Sequence, residues 1–254
     1  MSGPGLTRDD VRAAVEAEYR ADPLSEISWD DQYPQRLLPG GGSEPPEDAY
    51  SRVSEPERYR IVGARARAWE RALERLGLGD AVPTIAPTTA PATVPTAVLT
   101  AVPASWTFRP EQPQVRLIVP RRSDAQPLVL VTGALEGVGE TVVAVGMGDA
   151  RGGSEPVLLG WEPDRGCDAC DSGSADLLAA VDQEILTVVG GAVHVSGGGG
   201  RRRWVAWTTP GGHRASGRRI PRDVDGILTD ARAGRVRRGW QVLCGESWWG
   251  GSVG

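Results

Sequence analysis

The apolar positions divide the chain into a helical first part and a remainder dominated by strands. Val11, Ala14 and Val15 form a thin apolar face behind Thr7, a good N-cap, and predict a first helix over residues 7–20. Residues 21–49 are rich in Pro, Gly and acids and predict irregular chain carrying Trp29 and Tyr33. Tyr59, Val62, Ala66, Trp69, Leu73 and Leu76 then recur three and four apart, which predicts a helix from Pro56 to Leu76 stopped by Gly77. Ser54-Glu-Pro-Glu57 just ahead reads as a capping box with Pro in the first turn. The other face of this helix carries Arg58, Arg60, Arg65, Arg67, Arg71 and Arg75 among Glu57, Glu70 and Glu74. A phosphate-binding surface is one reading. Ordinary solvated pairs such as Arg67–Glu70 and Arg71–Glu74, worth about 0.2–0.5 kcal/mol each, are the preferred one.

Residues 81–104 repeat Pro, Thr, Ala and Val without a period and predict a stiff linker or surface loop. Four β-branched runs follow, Val115–Val119, Leu128–Thr132, Thr141–Val145 and Val157–Trp161, bounded by turn residues. Leu177, Leu178, Val181, Ile185, Val188 and Val189 predict a second long helix, over Asp171–Val189, that ends at Gly190-Gly191. Asp171, Ser172 and Ser174 are its candidate caps. Ala192–Ser196 and Trp204–Thr208 read as a hairpin joined by Gly197–Gly200. A helix over Asp223–Ala233 and a strand over Trp240–Cys244 close the chain. Strands outnumber helices and lie in neighbouring hairpins, so the expected class is α+β, a largely antiparallel sheet with two or three helices packed on it. The expected division is an N-terminal helix and irregular segment over 1–47, then a single α+β domain over 48–254.

Several stretches invite a chemical reading. Thr132-Gly-x-x-x-Gly-x-Gly139 after an apolar strand resembles the cofactor fingerprint of short-chain dehydrogenases. That fingerprint needs a following helix to meet the pyrophosphate, whereas Glu140-Thr-Val-Val-Ala-Val-Gly146 alternates like a strand. The chain also lacks the Lys of that family's catalytic pair, so a hairpin turn is expected instead. A calcium loop counted from Asp168 would place Cys170, Ser172, Gly173 and Ala179 at the key positions, and two of the ligands fail.

Cys167-x-x-Cys170 is the most chemically specific feature left. Two such thiols chelate zinc or form a redox pair, but zinc needs two more donors, for which Cys244, His194 and His213 are the soft or borderline candidates. Asp168 and Asp171 oppose a thiolate, so small residues packed in a tight turn, reduced and buried, are preferred. Asp164, Asp168, Asp171 and Asp176 also suggest a carboxylate cluster, although capping and turn formation account for most of them. His194 and His213 are expected to be hydrogen-bonded structural residues. No cofactor is expected. If an ion were bound, Cys167, Cys170, Cys244 and His194 would be its donors.

Charge changes the picture only slightly. All 28 basic residues are Arg, and the net charge is −5. From Gly200 onward eleven Arg face four acids, a net of +7, which leaves −12 on the rest. Arg201, Arg202 and Arg203 lead this region and, with Asp168 and Asp171, are the candidate binding residues. Nucleic-acid binding is not expected, because no groove-binding or single-strand motif accompanies the arginines. The three cysteines do not make a disulfide framework. The first residues lack a signal-peptide pattern and no apolar run spans a bilayer, so a soluble cytoplasmic protein is expected, without membrane association and with a protein as a possible partner.

Ala49-Tyr-Ser-Arg-Val-Ser-Glu-Pro-Glu-Arg-Tyr-Arg60, Gly63-Ala-Arg-Ala-Arg-Ala-Trp69 and Cys167-Asp-Ala-Cys-Asp-Ser-Gly-Ser-Ala-Asp-Leu-Leu178 resemble a bacterial family of unknown function from GC-rich genomes. The resemblance runs from about residue 48 to the C-terminus and implies no activity. The family pattern often has a further cysteine two places before Cys167, where this chain has Arg165, which weakens the case for a shared metal. A non-catalytic binding or protein-interaction module is therefore the leading expectation. A metal- or thiol-dependent enzyme centred on Cys167 and Cys170, and a nucleic-acid binder using the C-terminal arginines, are the alternatives.

Overall fold

The structure is a computed structural model, and it describes residues 5–34, 44–82, 102–164, 166–198 and 203–250. Most of the 81–104 stretch, and Arg201 and Arg202, lie outside the described residues. The first helix, α1 (Arg8–Arg20), is closed by a full capping box in which the Thr7 hydroxyl accepts from Asp10 N while Asp10 accepts from Thr7 N at 2.8 Å. Its Val11, Val15 and Tyr19 are buried against α2 (Arg60–Arg75). The capping box expected at Ser54 does not form. Pro56–Tyr59 is a 3-10 turn, α2 begins only at Arg60, and Ser54 is bound elsewhere in the chain. The apolar stripe of α2 is buried as the spacing predicts, but Ile61, Ala64, Ala68 and Ala72 are buried too, because α2 is packed on more than one side.

Two antiparallel sheets take the place of the single one expected. The first has strands β1 (Gly79–Val82), β2 (Glu111–Pro120), β3 (Leu128–Leu135), β4 (Val138–Met147) and β5 (Val157–Glu162), paired in chain order. Alternation puts Leu128, Leu130, Val143 and Val145 into the main core and Val129, Val131 and Ala144 into a separate cluster under Trp106 and Phe108. With both faces covered, β3 reads as an unbroken apolar run. The dehydrogenase-like glycines turn out as expected from the alternation: Leu135 pairs with Val138 across Glu136 and Gly137, both at positive φ.

The next helix, α3 (Ser174–Val189), touches α2, β4 and β5 of the first sheet and also β7 of the second. That second sheet has the order β8 (Gly212–Gly217), β7 (Trp204–Thr209), β6 (Val193–Gly197), β9 (Gln241–Cys244). Helix α4 (Val224–Arg232), capped by Asp223, covers one face through Val193, Val195, Trp204 and Ala206. The opposite face carries His194, Val205 and Trp207 toward α3 and the first sheet. β1 and β8 were not anticipated; both are short edge strands with too few apolar positions to declare themselves.

Candidate functional site

The first and last of the three stretches that carry the family resemblance are bound to each other. Asp168 N donates to Arg52 O at 2.8 Å and Ala169 N donates to Ala49 O at 3.1 Å. The Asp168 carboxylate accepts from Ser54 N at 2.9 Å, from the Ser54 hydroxyl at 2.5 Å and from Arg52 Nε at 2.9 Å. Burial works against its ionised form, but the bonds from Ser54 and Arg52 outweigh that and hold the carboxyl below the usual range. Asp171 is the second anchor. It accepts from Trp29 Nε1 at 2.9 Å, from the Tyr59 hydroxyl at 2.8 Å, from Gly173 N at 2.8 Å and from the Arg58 guanidinium. Arg58 also lies over the rings of Trp29 and Tyr59, at 5.0 and 5.2 Å. Burial, with the Asp171 charge behind it, pushes the Tyr59 hydroxyl well above its ordinary range, so Tyr59 acts here as a donor and not as a proton carrier.

Helix α3 therefore starts differently from the expectation. Its N-cap is Gly173, with φ 92° and no side-chain cap, because Asp171 is engaged by Arg58 and Tyr59 and the Ser174 hydroxyl hydrogen-bonds with Trp29. A little over two turns into α3, Asp182 receives both arms of Arg65, at 2.8 and 2.7 Å, and Trp69 Nε1 at 2.7 Å. Arg67 and Arg71 do not form the expected pairs along their own helix. Arg67 binds Glu140 and Asp22, and Arg71 binds Glu18.

Two clefts flank this scaffold. The first, about 330 Å³, is acidic and is lined by Tyr59, Glu162, Asp164, Cys170, Asp171 and Asp176. Burial, then the charges of Glu184 and Asp164, push Glu162 up to about 7. Glu184 is itself buried with its carboxyl raised, pressed on Gly160 and bound by Arg214. The second cleft, about 350 Å³, opens between β5 and the face of β6 and β7 that looks toward the first sheet. Trp106, Trp161 and Trp207 line it, with His194 beside them and Arg203 at the exposed edge. His194 stands opposite Trp207 in register, rings 6.3 Å apart and 23° from parallel. His194 Nδ1 and Trp207 Nε1 are both buried without a hydrogen-bond partner among the described residues. A native interior rarely leaves such groups unpaired.

The sequence candidates are thus dispersed. Cys167 is buried with Ala49 and Ala169, whereas Cys170 is exposed on the rim of the acidic cleft, contrary to the expectation that both are buried. Cys244 packs on the α4 side of the second sheet and His194 on the other, since they sit one register step apart on paired strands. Among the described residues, no three His, Cys, Asp or Glu side chains are grouped to hold a metal ion. His213 is hydrogen-bonded as expected, to Asp225 at 2.6 Å; His194 Nδ1 is not. Arg203 borders the aromatic cleft and Arg214 reaches Glu184 on α3. Glu162 was not singled out in the sequence, and Trp29, Arg58, Trp161 and Trp207 were given no part in these two clefts or the Asp171 cluster. The available sign was a histidine between two valines on a strand, and alternation sets it on the face opposite to theirs, which only the tertiary structure covers.

No helix among the described residues is long and apolar enough to cross a membrane. No curated protein and no solved structure matches the chain. A match over residues 15–249, which takes in both interlocked motifs and both clefts, shows that the chain belongs to the family of unknown function DUF6226.

Proposed function

We propose that this protein is a non-catalytic binding module whose ligand site is the aromatic cleft between the two sheets. One observation carries the reading: His194 and Trp207, which both line the cleft beside Trp106 and Trp161, each have a buried ring nitrogen, Nδ1 and Nε1, without a hydrogen-bond partner among the described residues. A concave, mostly apolar site of this size with a few convergent polar groups is the usual form of a small-ligand pocket. The residues that would have served an enzyme are spent on structure. Asp168 and Asp171 hold two segments together, and Cys167 packs in a turn. Burial, with the Arg203 charge behind it, pushes His194 down to about 4, so near neutral pH the ring is uncharged and is a poor base.

The test is a screen of small aromatic fragments against protein labelled with 15N in its indole and imidazole rings. Fragments that shift the Trp207 Nε1 and His194 resonances together support the reading. A library that moves neither resonance overturns it, as does turnover of any substrate that is lost when a cleft residue is changed.

A further inference from the structure

The polar groups of the aromatic cleft lean toward donors. Trp207 Nε1 and the Arg203 guanidinium only donate hydrogen bonds, neutral His194 has one donor and one acceptor nitrogen, and the Ser105, Thr107 and Ser216 hydroxyls adapt to either role. No Asp or Glu lines this cleft, although the chain as a whole is acidic and the cleft beside Glu162 is crowded with carboxylates. Arg203 makes no ion pair among the described residues, unlike Arg58, Arg65 and Arg214. Its charge is felt inside, since it is the second cause, after burial, that disfavours the protonated form of His194. An uncompensated guanidinium at the mouth of a low-dielectric cleft attracts an anion.

Shape narrows the class further. The walls are flat: Trp161 is stacked on Phe108 at 5.0 Å with the rings 3° from parallel, and Trp207 lies nearly parallel to His194. The volume, about 350 Å³, is at the small end for a ligand site and suits one or two fused rings. A single guanidinium balances one negative charge and matches the two oxygens of a carboxylate, whereas a phosphate monoester asks for more donors and more positive charge. We propose that the cleft takes a small planar aromatic carboxylate, with its ring among the indoles and its carboxylate on Arg203. This rests on the reading of the cleft as a ligand site and names what that site selects.

Calorimetric titration of the full-length protein with three matched probes tests it: indole-3-acetate, neutral indole-3-acetamide and cationic tryptamine. The expected result is that indole-3-acetate binds at least about ten-fold more tightly than the other two. Arg203→Gln, at an exposed position, should bring its affinity down to that of the acetamide and leave the acetamide unchanged, with an unaltered melting temperature. Equal binding of acetate and acetamide, or a preference that survives Arg203→Gln, overturns the carboxylate assignment. If the acetamide still binds and is lost in Trp161→Ala, the cleft stands as an aromatic site with a different selectivity. If none of the three probes binds, the carboxylate assignment falls, and the fragment screen then decides separately whether the cleft is a site at all.

Discussion

Asp171 illustrates what a single side chain can do when it is buried among donors. Trp29, Arg58, Tyr59 and Gly173 all converge on its two oxygens, from three separate parts of the chain. Removing one partner of a buried charge pair leaves the other unpaired, which costs about 3–5 kcal/mol. Asp171→Ala should therefore lower the unfolding free energy by about that amount in urea titrations, with only the exposed Glu55, at 3.6 Å, left to pair with Arg58. A loss below about 1 kcal/mol, as for an exposed pair, would mean that Arg58 finds water in solution. Arg58 was read from the sequence as part of a solvated face, because an arginine among glutamates on a helix gives no sign of a carboxylate more than a hundred positions away. Trp69 is the opposite case. Its place in the stripe was legible, and only the indole bond to Asp182 was not.

At the scale of elements, α3 is the piece against which the others are positioned. Asp171 and Asp182 tie it to the Arg58–Trp69 region, and Glu184 ties it to β8 through Arg214. Glu184 lies against Gly160 of β5, where a Cβ would come within 2.8 Å of its carboxyl carbon, so β5 carries a glycine to let the carboxylate in. Burial, then the charges of Glu184 and Asp164, raise Glu162 from 4.5 to about 7 against the opposing charge of Arg214. The folded chain then holds a proton that the unfolded chain has lost. The contribution to stability is complete below about pH 4.5 and disappears as the pH rises through 7, a change of up to about 3 kcal/mol. Glu162→Gln removes that dependence. Its urea midpoint should match that of the wild type near pH 5 and exceed it at pH 8. A variant no more stable than the wild type at pH 8 would show that Glu162 ionises freely in the folded state.

For the whole molecule, the aromatic cleft lies where β5 of the first sheet meets β6 and β7 of the second, and the acidic cleft lies between the end of β5, the turn after it and the start of α3. The excess of arginine after Gly200 is partly answered from within: Arg214 by Glu184, Arg235 by Asp230, and Arg232 by the carbonyl of Gly191. Trp204 and Trp207, which would be stacking partners for bases on an open surface, are buried. Nucleic acid is therefore expected to bind only weakly and to be released by salt. Titration with single- and double-stranded DNA and RNA at low and physiological ionic strength reads this directly. Complexes that persist at physiological salt and are lost in the Arg201/Arg202/Arg203→Ala triple variant would place a nucleic-acid surface at the mouth of the aromatic cleft.

The elements themselves followed from local pattern. Period and punctuation located α1, α2, α3, α4 and most of the strands, because burial of one face imposes a spacing that survives in any one-dimensional reading. The Glu136-Gly137 turn was legible for the same reason, as glycine accepts the backbone angles a tight hairpin demands. Caps and pairings were not. Ser54 and Asp171 have the chemistry of helix caps, yet each is claimed by a partner more than a hundred residues away, and a short-range rule cannot see a competitor that only folding brings near. The edge strands β1 and β8, the division into two sheets, and the meeting of His194, Trp207, Trp161 and Arg203 in one cleft were likewise decided by tertiary structure. Sequence sets which faces must be buried; which residues then face each other depends on how those buried faces stack.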